Sequence, residues 1–145
     1  MKEAISNSFL TTFILVIIVV IIALVAGSLS YTKAFKVKNR IINIIENSQV
    51  WDSATKEEVD LALREIGYRV NVNNKQNCPQ MSGKEAINTY GSSYRYCIYQ
   101  FTSYKGNYYG VVAYMYFDFP IIGQHLELPV RGQTKIFYDI DNEIE

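Results

Sequence analysis

The side chains best suited to chemistry in this chain are Cys78 and Cys97, its two cysteines, and His125, its single histidine. A serine or cysteine nucleophile needs a base within hydrogen-bond reach, and only His125 is available for that role. Neither cysteine stands in a C-x-x-C or other recognisable context, and one histidine cannot complete a zinc site with them. No G-x-x-x-x-G-K or G-x-G-x-x-G run offers a phosphate cradle. Asp139, Asp141, Glu143 and Glu145 alternate at the tail, but without the glycine and spaced glutamate of a calcium loop they read as a solvated terminus. His125 precedes Leu126 in an alternating stretch and is expected to be a strand residue facing water. The expectation is a non-enzyme with no metal, no cofactor and no small-molecule substrate.

What remains for the cysteines is each other. A lone pair in a small, polar, tyrosine-rich domain predicts a Cys78–Cys97 disulfide, closing a loop that contains PQMSGKEAINTYGSS. Such a closure contributes on the order of 3 kcal/mol. The competing reading is two buried free thiols in a cytoplasmic domain.

The cysteines need a scaffold, and length and composition limit it. With 145 residues the chain suits one small domain plus an anchor. Lys and Arg number 14 and Asp and Glu 14, so net charge gives no argument for nucleic acid. Tyrosine occurs 12 times, crowded between Tyr90 and Tyr116, which points to a β-rich second half.

From Phe9 to Ala26 no residue is charged, and with Gly27, Ser28 and Leu29 the run reaches the roughly 20 residues a helix needs to cross a bilayer. Lipid forces even the β-branched run Val16–Ile22 to satisfy its backbone as helix. A cleaved signal peptide is the alternative, though its apolar core spans only about 7–15 residues. Thr11, Thr12 and Gly27 are the small or polar places where a neighbouring helix could seat.

Two signals oppose each other on orientation. Lys33, Lys36, Lys38 and Arg40 follow the span and would put the following domain in the cytoplasm. The cysteine pair argues for the outside, the basic residues then serving as snorkelling or headgroup contacts. We take the extracytoplasmic side as the expectation.

Beyond Tyr31 the helical pattern continues: Ala34, Val37, Ile41, Ile44 and Ile45 share one face, and neither proline nor glycine interrupts residues 28–49. One helix of roughly 45 residues is predicted, apolar all round and then striped. Thr55 and Glu58 form a T-x-x-E capping box for a second helix that ends at Gly67. Residues 71–93 are turn-rich. YRYCIYQFTS, YYGVVAYMYFDF, HLELPV and QTKIFYDI then predict three or four antiparallel strands. On the second, Tyr109, Val111, Ala113, Met115, Phe117 and Phe119 make the core face, and Pro120 ends it. Such a sheet buries one face and wets the other. Tyr108, Tyr114 and Tyr116 would then offer a wet partner-binding surface.

The fold class is therefore α+β. It divides into an anchor half of the long helix (1–30), its amphipathic half (31–49) and an extracytoplasmic α+β domain (50–145). This arrangement resembles type IV pilins and pseudopilins, most nearly the TadE-like minor pseudopilins of tight-adherence pili. The residues carrying the likeness are the Phe9–Ala26 span, SLSYTKAFKVKNRIINIIE and the closing YFDFPIIGQHLELPVRGQTKIFYD. The chain departs from the prepilin pattern in having no glycine before Phe9 and only Glu3 as an early acid. The resemblance implies a structural subunit of a bacterial pilus or secretion apparatus. Its partners would be the lipid bilayer, itself or other pilin-like subunits, and assembly machinery. The rival expectation is a single-pass anchored module that binds or regulates as a monomer.

Overall fold

The computed structural model describes residues 2–71, 77–90, 92–118 and 125–138. Helix α1 (Lys2–Ser48) is followed by helix α2 (Ser53–Ile66) and strands β1 (Tyr96–Ser103), β2 (Gly106–Asp118) and β3 (His125–Gln133). The strands form an antiparallel meander in the order β1-β2-β3. The α+β class and the single long helix match the reading of the sequence. Phe119, Pro120, Ile140 and the acidic tail lie outside the described residues, as do the side chains of Phe117 and His125.

α1 runs through Gly27 without a break. Its two halves meet different surroundings. Every large apolar side chain from Phe9 to Leu29 is exposed, and the helix is long and apolar enough to cross a membrane by length and composition. The later stripe is fully covered: Ala34, Val37, Ile41, Ile44 and Ile45 are at most 2% exposed. Val37, Ile41, Ile44 and Ile45 pack on Tyr96, Ile98, Tyr109, Val111 and Ala113 of the sheet and on Val59, Ala62 and Leu63 of α2. Gly132 lets α1 lie close over β3, since a Cβ there would stand 2.7 Å from Lys38 Cδ and 2.8 Å from Ile42 Cδ1.

α2 starts from a different cap than expected. Asp52, extended at φ −125° and ψ −173°, accepts the Thr55 N–H at 2.7 Å. Thr55 thus sits inside the helix and its hydroxyl donates to Val50 O at 3.0 Å. An aspartate one residue before the helix displaces the Thr55–Glu58 box because its carboxylate satisfies the Thr55 amide and lets the helix begin at Ser53. The carboxyl of Asp52 is held below its usual range by the Thr55 bonds. Gly67 closes the helix in the left-handed region at φ 66°, as predicted.

The fourth strand predicted from QTKIFYDI is a continuation of β3 past a bulge. Gln133 pairs with Gly110, and Phe137 bridges Asn107. Four residues on one side thus oppose three on the other. Thr134 fills the irregularity, accepting the Tyr109 N–H on Oγ1 at 3.0 Å while its own N–H bonds Tyr109 O.

Candidate functional site

The two cysteines are joined, as the sequence predicts: Cys78 and Cys97 form a disulfide with Cα atoms 5.9 Å apart. Its position explains why the sheet has no wet face over β1 and β2. Cys97, Tyr99, Phe101, Val112 and Tyr114 form a second core, covered by Cys78, Met81 and Ala86 of the preceding segment. A tight hairpin shapes that segment: Met81 and Lys84 exchange both backbone hydrogen bonds at 3.0 Å around Ser82 (φ 51°) and Gly83 (φ 76°). The one-sided sheet expected from strand alternation is thus corrected. Only β3 keeps the wet pattern there, with Glu127, Pro129, Arg131 and Gln133 exposed.

The three tyrosines singled out as a partner surface lie on this covered side. Tyr114 is 5% exposed, and Tyr108 and Tyr116 are half-buried. Tyr108 stacks on Phe101, centroids 5.1 Å apart, and Tyr114 lies under the Arg95 guanidinium at 4.2 Å. Burial pushes the Tyr114 hydroxyl above its ordinary range, and pushes Tyr116 up to about 12. Tyr114 is therefore not open to a partner, because a disulfide-tied segment, invisible to strand periodicity, covers it, while Tyr108 and Tyr116 keep part of their surface exposed.

Asn88 went unread in the sequence and holds the free edge of β1. Buried at 4% exposure, it accepts the Ile98 N–H at 2.7 Å and donates to Tyr96 O at 2.9 Å and Ser92 Oγ at 3.1 Å. Those edge groups of Tyr96 and Ile98 are thus not left open to another strand. Arg95 was likewise missed. It donates to Asn77 O at 2.9 Å and pairs with Glu127 at 3.6 Å, linking the covering segment to β3. The only signal for either residue was a polar group inside an apolar neighbourhood.

On α1, Thr11 and Thr12 are exposed and Gly27 is half-buried within the helix. The two hydroxyls turn back on the helix itself, donating to Asn7 O at 2.9 Å and Ser8 O at 3.0 Å.

One cleft stands where the exposed half of α1 gives way to the covered half. About 320 Å³ in volume, it is lined by Ser30, Lys33 and Ala34 of α1, by Gly67, Tyr68 and Arg69 after α2, and by Tyr114–Tyr116 of β2. The Ser30 hydroxyl donates to Tyr116 O, pinning α1 to β2 at this level. Lys33 Nζ lies 3.9 Å from where a Cβ on Gly67 would stand, and Arg69 lies over the Tyr116 ring at 4.5 Å. Among the described residues no cluster of three or more His, Cys, Asp or Glu side chains could hold a metal. The chain matches no family model, no curated protein and no solved structure. Function must therefore be argued from geometry.

Proposed function

We propose that this chain is a membrane-anchored, pilin-like structural subunit, in which α1 serves first as anchor and then as the spine of the folded domain. One observation carries the proposal. A single unbroken helix passes from exposed apolar side chains at Phe9–Leu29 to a stripe no more than 2% exposed under the sheet. An exposed apolar surface of that extent needs a nonaqueous neighbour, either lipid or other copies of the same helix. Rigid continuity between anchor and domain is what a subunit needs if packed anchors are to place domains in a regular array. The Cys78–Cys97 disulfide supports the extracytoplasmic side for the domain, because such bonds persist where the surroundings are oxidising. The basic residues that opposed this side are partly accounted for: Lys38 lies over the Phe35 ring at 4.1 Å and along Gly132.

Cysteines introduced singly at positions 11–27 of the full chain in membranes test the assembly. Oxidative crosslinks between copies on one helix face are expected, and a chain that stays monomeric at every position would overturn the proposal. The second reading, a monomeric anchored module, draws on the hydroxyls of Thr11 and Thr12. Already bonded within their own helix, they have less to offer a neighbour. The absence of crosslinks would favour it.

A further inference from the structure

The cleft beneath the Ser30–Tyr116 contact has the position and charge of a lipid site. It rests on reading Phe9–Leu29 as a membrane span. Those 21 residues rise about 30 Å, the thickness of the hydrocarbon core, so Ser30 and Lys33 emerge at the level of the headgroups. The bond from Ser30 to Tyr116 O fixes the end of the sheet at that same level. The antiparallel pairing then carries β3 further toward the apolar half of α1, since Tyr116 pairs with Glu127 and Phe117 with Leu126. There Leu126 leaves 47% of its surface exposed, and Leu128, opposite Met115 on the near side of that rung, leaves 38%.

Two cations converge on the cleft from different elements, Lys33 from α1 and Arg69 from the segment after α2. No Asp or Glu lines it, and Glu127, the acid directly opposite Tyr116 in the sheet, is paired with Arg95 at 3.6 Å. Both cations are exposed, which leaves their donors open to a ligand. The Arg69 guanidinium also lies over the Tyr116 ring at 4.5 Å, and a guanidinium offers a planar fork of donors suited to a phosphate.

We propose that this cleft binds the phosphate of an anionic phospholipid from the leaflet in which the span ends, with Lys33 and Arg69 as its ligands. The contact clamps the domain to the membrane surface at a fixed angle, because the two cations come from elements on either side of the cleft.

The test uses the full chain in nanodiscs holding equal phosphatidylglycerol and phosphatidylcholine, with retained lipid measured by native mass spectrometry. Phosphatidylglycerol should be retained over phosphatidylcholine on the order of tenfold, a size suited to two cationic contacts. The preference should vanish in Lys33→Gln/Arg69→Gln and persist in Lys36→Gln/Arg40→Gln, which removes as much charge from exposed positions on α1. Equal retention of both lipids by the unaltered chain, or equal loss in both double variants, would overturn the site. Flotation of the chain with phosphatidylcholine vesicles separates the two claims. A chain that fails to float overturns the anchor and the lipid site together, whereas one that floats without preferring phosphatidylglycerol overturns the site alone.

Discussion

The Tyr68 hydroxyl accepts the backbone N–H of Tyr114 at 2.8 Å, just past the point where β1 stops pairing with β2. The same oxygen lies 2.8 Å from Arg95 O and 3.0 Å from Tyr114 O, within donating distance of both. One phenol therefore finishes a ladder that the strands leave open, and it ties the segment after α2 to the central strand. Removing it should strand a buried amide. Tyr68→Phe is expected to cost about 1–3 kcal/mol, read as a shift in the urea midpoint with unchanged slope.

The disulfide should matter through the segment it holds down. Cys97 is fully buried beside Tyr99 and Val112, at a sequence separation of 19 from Cys78. Reduction, or the Cys78→Ser/Cys97→Ser pair, is expected to lower stability by about 3 kcal/mol. It should also raise amide exchange over residues 77–90, which distinguishes uncovering of the sheet from general weakening.

Asn88 makes three hydrogen bonds from inside the core, to Ile98 N, Tyr96 O and Ser92 Oγ. Asn88→Ala leaves the Ile98 amide and the Tyr96 carbonyl without this partner. A loss of about 2–3 kcal/mol is expected in thermal or urea unfolding, with the Ile98 amide exchanging faster.

Gly106 has φ +137°, and a Cβ there would stand 1.9 Å from Phe137 O, a backbone atom that cannot swing aside. Gly106→Ala should therefore break the pairing of Asn107 with Phe137, whose two hydrogen bonds are 3.1 and 2.8 Å long. A destabilisation of about 2 kcal/mol or more is expected. Protection should be lost at those two amides before the centre of β2.

Alkali should unfold the domain. Burial pushes the hydroxyls of Tyr99 and Tyr116 up to about 12, from 10.0, and raises those of Tyr68, Tyr96 and Tyr114 as well. Above pH 10 the unfolded chain releases these protons while the folded chain keeps them, so the unfolded state gains. Stability is present in full below about pH 10 and declines between pH 10 and 12. Tyrosinate absorbance at pH 11 should fall short of that in the urea-unfolded chain by the share of the buried rings, and the urea midpoint should drop across that window.

Local order was legible wherever one physical requirement acted on neighbouring residues. An uncharged run from Phe9 to Ala26 can only be helix in lipid, and the spacing from Ala34 to Ile45 can only bury one side of a helix. Gly67 marked its turn because few other residues adopt φ 66° without strain. The three strands followed from alternation in the same way, and so did the pairing of the two cysteines. What the sequence left open was set by contacts between distant residues. The covering of Tyr114 depends on a segment tied across the sheet at Cys97. The break between β3 and the Asn107–Phe137 bridge depends on the Thr134 side chain taking the Tyr109 amide. The cleft of Ser30, Lys33 and Arg69 exists because α1, the end of α2 and β2 converge at one level. Local periodicity reports which face of an element is apolar. Only the folded chain decides what comes to lie against that face, because that choice is made by shape and hydrogen bonding among residues far apart in the sequence.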